Sequence, residues 1–291
     1  MSLSPRESEG VRHLAEHRYL SRAQIEELLF GGSALTPDSR RVITWRVLGR
    51  LKKAGLVTTN ALLVGEPNGA PTRIAYFLTS VGRRCFGALE PDFPERRPVL
   101  RGTFLIAHAL MVADIALAFQ RSAQTHPTHK ILLWECDWRT AARLGPDAVM
   151  PDARLVYGVD RRQIHAFIEA DRGSEGTGFF ERKIRRYLDL CRSGAWRNHL
   201  PVWPLVLTVT PNERRATELR RATAAFLSTQ NEGPWIARAF RFGVLDEVRG
   251  VPGPLSEIWQ VAARTGRHPL SDAMGRPDAS VAELRSAPLR P

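Results

Sequence analysis

Asp152 lies in the run PDA, and Glu169 and Asp171 sit in the run FIEAD. If these runs are neighbouring strands, Glu169 and Asp171, two residues apart, point to one face, and Asp152 joins them at one sheet edge. Three carboxylates so placed repel unless a divalent cation neutralises them, and oxygen-only ligation of this kind suits Mg²⁺ or Mn²⁺. Such an ion would acidify a bound water and polarise a phosphodiester. Lys183, one helix further on, would assist the water or the phosphate. Its plainer role is a solvated or phosphate-binding side chain among Arg182, Arg185 and Arg186. Singly, PDA and ExD are weak motifs, and a strand-end carboxylate is commonly just solvated; order and element type together carry the reading.

The elements that must hold these groups follow from periodicity and turn residues. The run TFLIAHALMVADIALAFQRSA reads as an apolar helix, KILLWECDWR as a strand, AVMPDARLVYG as a second and QIHAFIEAD as a third. After RGSEGTG, FFERKIRRYLDLCRSG reads as a helix, WPLVLTVT as a strand, NERRATELRRATAAFLS as a helix, and IARAFRFGVLDEV as a further strand or two. Helix, three strands, helix, strand is the core order of the restriction-endonuclease-like, or PD-(D/E)xK, fold. That fold's third motif ends in lysine; Asp171 stands there in this chain, and Lys183 is the candidate replacement from its new position. His108 and Asp114 fall on the leading apolar helix. His108 would face the acidic cluster as ligand or base, or be a hydrogen-bonded core residue.

The first ninety residues read differently. Residues 8–30 form two short helices, with Val11, Leu14 and Leu20 on an apolar face and Ser21 capping RAQIEELLF, Gln24 completing a capping box. A third helix, capped by Asp38 or Ser39, runs through SRRVITWRVLGRLKKAGLV, with Val42, Trp45, Leu48 and Leu51 as its apolar face. Two strand-like runs around a Gly-, Pro- and Asn-rich turn follow, then a short helix at SVGRRCFGAL. This is the order of a winged helix-turn-helix, which sets its third helix in the major groove. Arg40, Arg41, Arg46 and Arg50 on that helix, Arg73 on the wing and Arg172 in the second half are the candidate DNA contacts. For the helix arginines, phosphate contact is the expected role over base reading. A winged helix used for protein contacts is the alternative.

The predicted architecture is thus α/β (α+β): a winged helix over residues 8–90, a linker over 91–102, a PD-(D/E)xK nuclease-like domain over 103–265, and a disordered tail over 266–291. The formal charge of +12 and pI of about 10.6 favour double-stranded DNA as partner. Three distant cysteines form no disulfide framework, the polar N-terminus is no secretory signal, and no run of about 18 apolar residues marks a membrane span. A cytoplasmic protein is expected.

The segments LIAHALMVADIALAF, VMPDARLVYG and FIEADRGSEG, then KIRRY, resemble the replication-relaxation family of plasmid and integrative-element proteins. The resemblance covers roughly residues 8–190. Its most specific part is Glu169, Asp171, Arg172, Gly173, Ser174 and Glu175, followed by Lys183 and Tyr187. It implies a role in replication, relaxation or mobilisation of a mobile element. A second copy of the chain or the element's other machinery are the candidate protein partners, giving a homodimer in the first case. Two functions remain open: a Mg²⁺- or Mn²⁺-dependent endonuclease or nickase, and a DNA-binding initiator or regulator whose nuclease-like domain is only a scaffold. Tyr187 raises a third, relaxase-like chemistry with a covalent DNA adduct. The eight scattered histidines supply no three-histidine cluster for it.

Overall fold

A computed structural model describes residues 3–62, 73–88, 90, 93, 102–144, 149–174, 176–230 and 234–273. Most of the predicted linker, most of the turn between the wing strands, Glu175 and the tail from residue 274 lie outside the described residues. The chain is mixed α/β and divides into two compact units, Met1–Leu117 and Ala118–Pro291.

In the first unit, α1 (Pro5–His17) starts at Ser4, whose hydroxyl accepts from Glu7 N while the Glu7 carboxylate accepts from Ser4 N. Its buried face carries Val11 and Leu14; Leu20 falls in the two-residue strand β1 (Leu20–Ser21). Ser21 and Gln24 cap α2 (Arg22–Phe30) reciprocally, as their spacing predicts. The Gln24 amide also donates to Leu110 O and Asp114 Oδ1, 2.8 Å each, tying this helix to α5 (Thr103–Thr125).

Helix α3 (Pro37–Lys53) is capped by Thr36, not Asp38 or Ser39: the Thr36 hydroxyl accepts from Ser39 N, and Pro37 opens the helix with φ already preset. Its apolar face also differs from the expected one. Thr44, Val47, Leu48 and Leu51 are buried, whereas Val42 and Trp45 are 44% and 53% exposed. A strict three-residue spacing drifts around a helix of about 3.6 residues per turn, so Val42 and Leu51, nine residues apart, end on opposite sides.

Strands β2 (Val57–Leu62) and β3 (Arg73–Leu78) pair antiparallel, Val57 opposite Leu78 through Leu62 opposite Arg73, and β1 adds to the far edge of β3. Helix α4 (Ser80–Gly87), capped by Thr79, approaches β2 so closely that a Cβ on Gly82 would sit 2.1 Å from Leu56 O. The first turns of α5 pack Ile106, Ala109 and Leu110 on Tyr19 and Ala75. By length and composition alone an 18-residue window of α5, of mean hydropathy 1.7, would suffice for a membrane crossing; 56% of that window is buried within the protein.

The second unit is built on a seven-stranded sheet in the order β10-β9-β8-β7-β6-β5-β4. Its strands are β4 (His129–Cys136), β5 (Ala153–Val159), β6 (Arg162–Ala170), β7 (Leu205–Thr210), β8 (Phe240–Val244), β9 (Trp259–Val261) and β10 (Arg267–His268). The run after β4 that reads as continued strand instead forms α6 (Asp137–Leu144), with Asp137 Oδ1 accepting from Trp138 N. β4, β5 and β6 are antiparallel; β6, β7 and β8 are parallel, their crossovers made by α7 (Thr177–Ser193) and α8 (Glu213–Thr229). Short helices α9 (Pro234–Ala239) and α10 (Leu245–Arg249) flank β8. Alternation sorts each strand. Phe167, Val206, Phe240 and Phe242 face Ile184, Tyr187, Leu188, Ala216 and Leu219 of α7 and α8, while Tyr157 on the other face meets Phe119 of α5.

Candidate acidic site

The site forms where β5 begins and β6 ends. Because these strands are antiparallel, with Ala153 opposite Ile168, the start of one lies beside the end of the other. Asp152 N donates to Ile168 O (3.0 Å), and Asp152 Oδ2 accepts from Ala170 N (2.8 Å). The Asp152 carboxylate is thereby fixed alongside Glu169, close enough for its charge to act on Glu169 and on Tyr187.

Glu169 is 2% exposed. Lys183 and Tyr187, four apart on α7 and so one above the other on one helix face, both reach it: Lys183 Nζ donates to Oε2 and the Tyr187 hydroxyl to Oε1. Burial pushes the Glu169 carboxyl up to about 7, with the Lys183 charge opposing and Asp152 adding to the rise. Burial likewise drives the Tyr187 phenol well above its ordinary range, with Glu169 adding to it. Tyr187 is wedged between Phe167 (5.7 Å) and Phe240 (6.1 Å). A hydroxyl enclosed in this way and donating to a carboxylate is poorly placed to attack DNA, which removes the support for relaxase-like chemistry. On the next strand Thr208, in register with Glu169 and fully buried, has an Oγ1 with no hydrogen-bond partner.

Asp171 is on the same sheet face, as its parity predicts, but it serves α8. Arg215 Nε and Nη2 donate to Asp171 Oδ1 and Oδ2 at 2.9 Å each, and Gly173 N, at φ +73°, donates to Oδ1 at 2.7 Å. The geometry thus brings together Asp152, Glu169 and Lys183 and ties Asp171 to Arg215. Beyond the carboxyl ends of β6 and β7, where α7 and α8 begin, a cleft of about 980 Å³ is lined by Arg172, Ser174, Asn212, Arg214, Arg215 and Arg221, among others. A second charged group, Glu135 with Arg143 (2.8 Å) and Arg154 (2.9 Å), is buried on β4, α6 and β5.

Of the α3 arginines, Arg41, Arg46 and Arg50 are exposed. Arg41 pairs with Asp38 (2.6 Å) and Arg50 with Glu7 (3.5 Å). Arg40 is turned to the preceding loop, donating to Leu35 O (2.8 Å) and Ser33 O (3.2 Å). Arg73 opens β3; its side chain lies outside the described part of the structure. His108 is half-buried on α5 in the first unit.

The replication-relaxation family model matches residues 11–206, more than half of the chain. The chain belongs to that family. No characterised protein and no solved structure matches it. The matched span of this replication-relaxation protein runs from α1 to the start of β7, and so includes Asp152, Glu169, Lys183 and Tyr187. Arg215 lies beyond it. Reading the sequence missed Arg215 and Thr208. Nothing local marks Arg215 among the arginines of NERRATELRR, and Thr208 reads as one more β-branched residue in a buried strand.

Proposed function

We propose that this chain is a DNA-binding protein of mobile-element replication or relaxation, with a divalent-metal-dependent phosphodiester-cleaving site in its second unit. The observation that carries the catalytic reading is the convergence of Asp152, Glu169 and Lys183 from two adjacent strands and the following helix. It matches the acidic pair of a PD-(D/E)xK fold, with the lysine supplied by α7 in place of the third motif.

The donor chemistry narrows the metal ligands. Asp171 commits both oxygens to Arg215, so it is left out of the set. Asp152 accepts from Ala170 N through Oδ2, and each Glu169 oxygen has a second lone pair beyond its bond from α7. These two carboxylates would hold Mg²⁺ or Mn²⁺, which when bound supplies an acidified water and charge on the phosphate. Lys183 favours the charged form of Glu169 against the cost of burial and puts a cation where phosphate charge develops. Tyr187 orients Glu169 by donating to its second oxygen.

DNA recognition is assigned to the first unit. Three helices followed by a β-hairpin give a winged helix-turn-helix, and the outward side of α3 presents Val42, Trp45 and Arg46 with Lys52 and Lys53. Arginine for phosphate and an exposed apolar pair for base edges is what a groove-reading helix uses. The cleft bearing Arg172, Arg214 and Arg221 supplies a further phosphate contact.

Supercoiled plasmid carrying the element's own replication origin, incubated with Mg²⁺ or Mn²⁺, tests the site. Nicking that Asp152→Ala and Lys183→Ala abolish while DNA binding persists is the expected result. The Asp171–Arg215 pair and the enclosed Glu169 favour a second reading, a DNA-binding scaffold without cleavage. A parent protein inert with every divalent ion on bound origin DNA decides for it.

A further inference from the structure

The last turns of α1 carry a side-chain cluster independent of the acidic site. His13, Glu16 and His17 stand at i, i+3 and i+4, the spacing that places three residues on one face of a helix. One donor atom from each lies within 4.8 Å of the other two. We propose that His13, Glu16 and His17 form a transition-metal site, for Zn²⁺ by its donor set, in the first unit.

Two observations support it. Both ring nitrogens of His13 are closed off from solvent without a hydrogen-bond partner. A buried polar group left so is costly, and a native protein seldom leaves it unanswered. A metal on one nitrogen answers it. The second is the environment of the ring: Glu9 Oε1 lies 3.9 Å from His13 Nε2, placing a carboxylate where metal-bound histidines usually find their outer partner.

Two imidazoles and one carboxylate are the ligands of an N₂O site, suited to Zn²⁺ and ill suited to Mg²⁺ or Ca²⁺. Metal–ligand bonds of about 2.0–2.2 Å put tetrahedral ligands roughly 3.3–3.5 Å apart, so small side-chain rotations close the set. Three protein ligands leave a fourth position for water. The ion would lock the end of α1, whose Val11 and Leu14 lie in the core of the unit assigned to DNA, just before the chain turns at Arg18 (φ 64°) into β1. Its role is to stiffen that unit, and it stands whether or not the acidic site cleaves.

The full chain, stripped with chelator and dialysed, is titrated calorimetrically with Zn²⁺ and, separately, with Co²⁺ monitored by visible absorption. Expected are one Zn²⁺ per chain in excess Mg²⁺, a tetrahedral Co²⁺ spectrum, and a melting transition raised by Zn²⁺. His13→Ala should abolish this binding, Glu16→Gln should weaken it roughly tenfold or more, and Asp152→Ala should leave it intact. Glu16 is only half-buried, so Glu16→Gln decides the matter if His13→Ala does not fold. A folded parent that takes up no Zn²⁺, or His13→Ala and Glu16→Gln binding like the parent, overturns the proposal. So does a Zn²⁺ signal lost in Asp152→Ala, which would place the ion at the acidic site.

Discussion

Asp171→Ala separates a structural carboxylate from a metal ligand. In the folded chain Asp171 accepts from Arg215 Nε and Nη2 and from Gly173 N, and the Arg215 and Asp171 side chains are 8% and 10% exposed. Truncation leaves the guanidinium buried, with the Glu218 carboxylate still 3.3 Å away and 48% exposed. Breaking a buried pair costs about 3–5 kcal/mol, and the residual partner argues for the lower end, roughly 3 kcal/mol. For a unit of this size that is a melting temperature lower by about 6–12 °C. Tryptophan fluorescence suits the assay, because six of the seven tryptophans lie in the second unit. Urea unfolding is run in EDTA, where a pure metal ligand would cost nothing. Arg215→Ala and the double variant complete the cycle, and the double variant should lose clearly less than the sum of the singles. An unchanged urea midpoint for Asp171→Ala in EDTA, or strictly additive losses, would refute the reasoning and return Asp171 to the ligand set.

Other outcomes follow from the same structure. Gly82→Ala forces a Cβ onto Leu56 O, so the first unit should lose about 2 kcal/mol or more, read as a lower urea midpoint with the second unit unaffected. Replacing Arg46 and Arg50 by Ala should weaken DNA binding and lower the salt slope by about one per lost phosphate contact; isotherms unchanged across a salt series would remove α3 as the DNA reader. His165 is half-buried and held down at about 4, chiefly by desolvation and also by Arg154. The unfolded chain therefore takes up that proton first, and stability falls as pH drops from about 6.5 to 4, by up to about 1.4 kcal/mol per pH unit. Glu169, raised to about 7, acts the other way: stability falls as pH rises from the ordinary carboxylate range to 7. Glu169→Gln should remove the second trend and expose the first; a pH–stability curve identical to the parent's would contradict the Glu169 assignment, and a variant whose stability does not fall from pH 6.5 to 4 the His165 one.

Much of this protein was legible in one dimension. The capping box at Ser21 and Gln24, the apolar runs of β5 to β7, and the helix through FFERKIRRYLDLCRSG are local patterns, set by backbone geometry within a few residues. Strand parity alone put Glu169 and Asp171 on one face, and the order of elements put Asp152 beside them. The family resemblance rested on the same local runs. The Val42 and Trp45 assignment failed for a local reason too, a three-residue count applied to a 3.6-residue helix. His13 and His17 were visible at helical spacing, but the spacing says nothing about whether their nitrogens find partners. What only the tertiary structure decided is which partner each charge meets. Glu169 and Asp171 share a face, yet one meets Lys183 and Tyr187 of α7 and the other Arg215, 44 residues on in α8. Parity sets the side of a sheet, while the pairing of buried charges depends on which helix crosses above each residue. Helix packing is settled by the apolar contacts of Phe167, Val206 and Phe240 with α7 and α8, not by the charged residues themselves. Pairing strength has the same origin, because burial, a property of the assembled layers, raises Glu169 and makes the Arg215 pair costly to break.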